Sequence, residues 1–144
     1  MTLTAIGPRE ASIFTCLLDS FAAPEPPLPA VRDTDALASF DTWLTRSPPV
    51  NRIGLRVLLH LAELAPLVLG GGHRLRRLDP ARRRRWLRDA EHAPLRPVRE
   101  LVRAVKTLLL LCYYGDPAVM AFLGYDAQAR VSRGTQLRRA EARP

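Results

Sequence analysis

The sequence predicts an all-α fold, a compact bundle of about six helices, on three observations. Ala, Leu and Arg are abundant and β-branched residues sparse, a composition that favours helix over strand. Apolar residues recur at three- and four-residue intervals, without the two-residue alternation of a half-buried strand. Proline falls repeatedly at the first turn of a candidate helix, where its missing N–H costs nothing. The 144 residues suffice for one core and not comfortably for two. The expected domain covers 1–126, with a proline-rich surface connector inside it and a basic, mobile tail over 127–144.

A first helix is expected over 8–21, with Ile13, Phe14, Leu17, Leu18 and Phe21 along one face. It stops at AAPEPPLPAV, where four prolines in six residues forbid helix and central strand alike. That leaves an extended, polyproline-like connector lying over the surface. Asp33, Thr34 and Asp35 each have a side chain able to cap a second helix, on which Leu37, Phe40, Trp43 and Leu44 share a face. Ser47 as N-cap and Pro48 at the first position start a third. Val50, Ile53, Val57, Leu58, Leu61 and Leu64 give it a broad apolar stripe; Pro66 kinks or ends it, and the glycines at 70–72 stop it. Asp79 and Pro80 open a fourth helix whose apolar face is only Trp86, Leu87 and Ala90, so most of it is solvated or covered by another chain. The fifth, LRPVRELVRAVKTLLLLCYYG, is the most buried in pattern. Its stripe is Val98, Leu101, Val102, Val105, Leu108, Leu109 and Cys112, with Arg99, Arg103 and Lys106 on the other side. Asp116 and Pro117 cap a short sixth helix that Gly124 ends.

Net charge is +8 and unevenly spread. Residues 1–50 carry three basic and six acidic side chains, a balance of −3, so 51–144 hold 19 against 8, a balance of +11. A basic half of this kind marks contact with nucleic acid, an anionic membrane or an acidic protein. Lys106 is the only lysine, however, and a GC-rich genome produces the same arginine bias. Cys16 and Cys112 stand singly in apolar helical contexts and read as buried, unpaired thiols. The longest apolar stretch, 53–69, is interrupted by Arg56, His60, Glu63 and Pro66, short of the ~20 largely apolar residues that cross a bilayer. No basic segment followed by an apolar run opens the sequence. The expectation is a soluble cytoplasmic protein without a transmembrane segment.

Chemistry carried by the chain itself is hard to find. His60 and Glu63 have the spacing of two ligands on one helix face, but a dinuclear carboxylate bundle repeats such a pair on another helix, and this sequence does not. The plainer reading puts both, with Arg56, on the polar edge of an amphipathic helix. Asp33, Asp35, Asp79 and Asp116 are accounted for as caps. No serine sits in a nucleophile elbow, and GGGH at 70–73 lacks the Lys-Ser/Thr of a phosphate loop. No catalytic, cofactor-binding or metal-binding residue is assigned. Arg82, Arg83, Arg84 and Arg85 point around their helix in ~100° steps and join Arg74, Arg76, Arg77 and Arg88 in a cationic cluster. Without stacking aromatics or a reading helix, the cluster fits a solvated face or an acidic protein better than nucleic acid.

The most distinctive stretch is CYYGDPAVMAFLGYD, residues 112–126. Taken in order with DTDALASFDTWL, the helix ending APLVLGG and RLRRLDPARRRRWL, it resembles a helical region associated with bacterial glucose-methanol-choline (GMC) family FAD oxidoreductases. That region is an N-terminal extension in long-chain alcohol oxidase-like and sterol oxidase-like members, and it is similar to the small subunit (subunit 3) of gluconate 2-dehydrogenase-type complexes. The resemblance covers about residues 8–126. It is sharpest in YY-x-DP-x(5)-LGY, here Tyr113, Tyr114, Asp116, Pro117, Leu123, Gly124 and Tyr125. A Gly-x-Gly-x-x-Gly strand-turn-helix and an initial twin-arginine pair are both missing from these residues. The resemblance therefore implies a free-standing, non-catalytic accessory subunit with no cofactor of its own. FAD would be carried by a separate catalytic GMC-type flavoprotein, which this chain stabilises in a hetero-oligomer and whose substrate entrance it helps to shape.

Expected partner contacts are Tyr113, Tyr114, Asp116, Pro117, Tyr125, Trp86, Arg82 and Arg85, with the apolar surplus of the helices at 47–69 and 95–114 supplying the rest. Tyr113 and Tyr114 lie ~100° apart on their helix, so at most one faces the core squarely and the other looks outward. A plainer alternative has the three tyrosines simply closing the bundle around the Asp116 cap. The alternative function is a basic helical module that binds nucleic acid or an anionic surface through Arg82 to Arg85 and the tail.

Overall fold

Helix α5 (Arg96–Tyr114) is the element against which the others pack. In the computed structural model, which describes residues 3–126, 130–135 and 138, it follows α1 (Pro8–Ala22), α2 (Ala36–Arg46), α3 (Pro49–Val68) and α4 (Pro80–Ala90), and precedes α6 (Pro117–Phe122). Single 3-10 turns occupy Val31–Asp33 and Leu75–Arg77, and 130–135 are also helical. No strand occurs among the described residues, so the all-α expectation holds. The tail expected over 127–144 lies largely outside the described residues.

Proline sits in the first turn of α1, α3, α4, α5 and α6, where an N–H has no helical partner anyway. α5 presents Val102, Val105, Leu109, Cys112 and Tyr113 to the core and packs against α1, α2, α3, α4 and α6. Facing it are Ile13, Phe14, Leu17 and Leu18 of α1, Phe40 and Leu44 of α2, Leu59 of α3 and Leu87 of α4. The rings of Phe14 and Phe40 stack with centroids 4.9 Å apart. Both cysteines are free, and burial pushes the Cys112 thiol up to about 12.

Four carboxylates lie inside this apolar frame, each met by donors. Asp41 accepts the backbone N–H groups of Thr4, Ala5 and Ile6 at 2.8–2.9 Å, plus the Thr4 hydroxyl. Glu10 accepts the Gly7 N–H and a two-pronged contact from Arg56 at 2.7 and 2.9 Å. Glu63 accepts the backbone N–H and the Nε of Arg76, and Arg76 also donates to Ser12. Asp116 caps α6 by accepting the N–H groups of Ala118 and Val119 through one oxygen, while its other oxygen accepts the Asp35 N–H at 2.7 Å.

Several local expectations need correction. α3 starts one residue later than Ser47-Pro48 implied: Pro48 is the N-cap and Pro49 the first helical residue, because a residue before proline is pushed out of the helical region. Pro66 neither ends α3 nor precedes much of it; the helix runs on to Val68, and Gly70 then takes a φ of +83° that suits glycine. Asp35 is the N-cap of α2, but its side chain makes no capping bond. Trp43 is exposed while Phe40 and Leu44 beside it are buried, since the inward place next to them goes to Asp41. The connector after α1 is not uniformly extended: a turn closes from Leu28 N–H to Glu25 O, Pro26-Pro27 is cis, and Val31 drops into the core. The Tyr113 hydroxyl donates to Pro29 O at 2.6 Å and holds this connector against the bundle.

Asp116→Ala removes both a helix cap and the acceptor for Asp35, so it costs about 2–3 kcal/mol. Asp116→Asn keeps part of that. Urea unfolding midpoints check the order wild type, Asn, Ala; an unchanged Ala variant defeats it.

Acid sensitivity follows from two of the buried acids. Burial alone raises the Asp41 pKa, but the bonds from Thr4, Ala5 and Ile6 outweigh it and hold the carboxyl below the usual range. The Arg56 side chain, followed by burial opposing it and the Gly7 N–H assisting, holds Glu10 low as well. The folded state thus binds these protons more weakly than the unfolded chain. Their stabilisation is complete above about pH 5 and is lost as the pH falls through about 4 and below. Asp41→Asn should be less stable at neutral pH and lose less on acidification, as read from urea midpoints at pH 7 and pH 3.5.

Candidate partner-binding surface

α3 has its apolar stripe on the outside. Val50, Ile53, Val57, Leu61 and Val68 are 79%, 62%, 47%, 50% and 84% exposed, and Leu64 between them is half-buried. Leu59, Ala62, Glu63 and Pro66 are the residues it buries. The outward line holds no charged side chain over its 20 residues, a length of about 30 Å. Monomers rarely leave so long an apolar strip uncovered.

Polar anchors on the inner side fix this rotation. Arg52 donates to the carbonyls of Leu44, Thr45 and Ser47 at the end of α2. Arg56 reaches Glu10, with His60 Nε2 3.5 Å from the same carboxylate. Glu63 is enclosed with Arg76. The polar edge expected of Arg56, His60 and Glu63 lies against the bundle, and Glu63 is fully buried there by the Arg76 guanidinium and N–H. His60 and Glu63 also engage different partners. Among the described residues no three His, Cys, Asp or Glu side chains come together.

Gly54 stands in the N-terminal third of α3, between Ile53 and Val57 of the strip, with nothing within 4 Å of the position a Cβ would take. Glycine inside a helix costs about 1 kcal/mol relative to alanine, and no turn or positive φ requires it here. A bare backbone at this place is a notch into which another helix can press.

At its C-terminal end the strip meets a groove of about 420 Å³. Leu69 closes one side, Trp86 and Ala90 of α4 line another, and Pro94, Leu95 and Val98 complete it. Its charged lining residue is Asp89. Arg82 and Arg85 stand one turn before Trp86 and Asp89 on α4, Arg96 follows Leu95, and the segment after α3 carries Arg74 and Arg77. Arg82 pairs with Asp79 at 3.3 Å and Arg96 with Glu100 at 3.9 Å. Arg74, Arg77 and Arg85 are exposed and have no carboxylate partner among the described residues.

The residues expected to contact a partner fall into two groups. Trp86, Arg82 and Arg85 belong to the groove end. Tyr113, Tyr114, Asp116, Pro117 and Tyr125 gather at the other end of α5, about 25 Å away by helical rise. In that second group Tyr113 and Asp116 are buried and bonded within the fold. Tyr114 is exposed, with its ring edge-on to Tyr113. Tyr125 is exposed under the Arg130 guanidinium, 4.9 Å from the ring centroid. Pro117 is exposed. Missed as individual residues were Gly54, Leu69 and Leu95. The signal for Gly54 was a helix-weakening residue placed inside an apolar stripe.

No family model, characterised protein or solved structure matches the chain. Among the described residues, no helix is long and apolar enough to cross a membrane.

Gly54→Ala should raise the stability of the isolated chain by about 0.5–1 kcal/mol, because the added methyl meets open space. Thermal unfolding tests this; a lowered Tm would mean the notch is filled from within the fold.

Proposed function

We propose that this chain is a non-catalytic accessory subunit that docks on a separate catalytic protein through the outer face of α3. The observation that carries the proposal is the uncovered, charge-free strip from Val50 to Val68 on a helix whose inward rotation is fixed by three polar anchors. Interfaces of this type are apolar and depleted of charge at their centre. The sequence resemblance supplies the partner: a GMC-type FAD-dependent oxidoreductase, in whose active site FAD does the redox chemistry while this chain holds no cofactor. Its contributions are stability of the flavoprotein and the shape of its substrate entrance, within a cytoplasmic hetero-oligomer.

A second reading draws on α4, where Arg84, Arg85 and Arg88 are exposed and have no carboxylate partner among the described residues. It makes the chain a basic module for nucleic acid or an anionic surface, and predicts a salt-dependent shift of duplex DNA or RNA. It leaves the α3 strip without a use.

Producing the flavoprotein with and without this chain tests the first reading. Greater soluble yield, higher flavin content and co-purification in the presence of the chain are expected, all lost with Val57→Asp. Equal yield, flavin content and turnover in both preparations would sink it.

A further inference from the structure

We infer that the partner meets this chain with an amphipathic helix. Its apolar side would lie along α3, one large apolar side chain would enter the Trp86–Leu95 groove, and its flanks would carry carboxylates. The inference rests on the accessory-subunit reading and names the chemistry of the contact. Three features of the surface select it.

The first is shape. The strip is one helix face with its residues at three- and four-residue steps, and such faces take another helix ridge into groove. Gly54 removes the side chain that would hold the two backbones apart near the N-terminal end of the strip. The second is the groove, which is lined by an indole, three further large apolar side chains and proline. At about 420 Å³ it has room for an anchoring aromatic or aliphatic side chain, the kind of contact that dominates interface energy.

Charge is the third. Residues 74–103 hold eleven arginines against four acids, and of those next in sequence to the groove and to the end of α3, Arg74, Arg77 and Arg85 find no carboxylate among the described residues. A helix with an apolar centre and acidic flanks satisfies strip and rim together; a basic one meets like charge. A second copy of this chain fits less well. Each carries +8, so two copies would meet with like charge. Nucleic acid would meet the arginines and gain nothing from α3.

Two synthetic 18-residue helical peptides test the inference, both with the same Leu/Ala face, one flanked by Glu and one by Lys. They are titrated calorimetrically into the full chain. The Glu peptide should bind at least about tenfold tighter at low salt, with the advantage shrinking as salt rises. Val57→Asp, Leu95→Asp and Gly54→Leu, all at exposed positions, should each weaken it about tenfold or more without changing the circular dichroism. Equal binding of the two peptides, binding by neither, or binding that survives Val57→Asp overturns the inference. So does a dimer of the chain alone that Val57→Asp dissolves. If neither peptide binds but the flavoprotein still depends on the chain, this inference fails and the accessory reading stands. If the Glu peptide binds as expected but the flavoprotein is indifferent to the chain, the accessory reading fails and the docking chemistry stands.

Discussion

A carboxylate taken out of water costs several kcal/mol unless donors meet its oxygens, and that constraint organises this bundle. Asp41 gathers the N-terminal segment onto α2, and Glu10 ties α1 to α3 through Arg56. Glu63 ties α3 to the turn at Leu75–Arg77 and, through Arg76, to α1. Asp116 joins the start of α6 to the start of α2 across 81 residues of sequence. A half-turn of α3 would bury Val57 and Leu61 but strand Glu63 and Arg56 away from their partners. The apolar strip points outward because the acids and arginines behind it have nowhere else to go.

This also separates what the sequence made legible from what it did not. Helix starts were readable because a proline in the first turn is a local signal, and Asp79 and Asp116 act as caps. The division of labour between Tyr113 and Tyr114 followed from a single angle. The rotation of α3 was not readable: it depends on Glu10, 46 residues from Arg56, and on Arg76, which is placed by a 3-10 turn of no strong pattern. The connector was misjudged for a related reason, since its course is set by Tyr113 reaching Pro29 and by Val31 entering the core. Of the candidate surface, Trp86 and Arg85 were visible as isolated types, while the groove that unites Trp86 with Leu69 and Leu95 exists only once α3, α4 and α5 are packed.

The arginines divide into two populations. Arg52, Arg83 and Arg99 donate to backbone carbonyls at helix ends and turns, and Arg56 and Arg76 hold buried carboxylates. A planar guanidinium with several fixed donors does this work where a lysine ammonium would satisfy fewer acceptors. The near-absence of lysine is thus partly architectural, whatever the composition of the genome. A second population, with Arg74, Arg77 and Arg85 next in sequence to the groove and Arg84 and Arg88 on the other side of α4, makes no comparable contact.

An uncovered strip along α3 changes what happens to the chain when it is made in excess. Contiguous apolar surface is what chaperones and proteases read as a sign of incomplete folding, and it promotes association among the copies themselves. A molecule whose core is well ordered but whose third helix is bare would be removed until something occupies that helix. Its cellular abundance would then track the supply of its occupant, and matched amounts of the two would need no separate regulation.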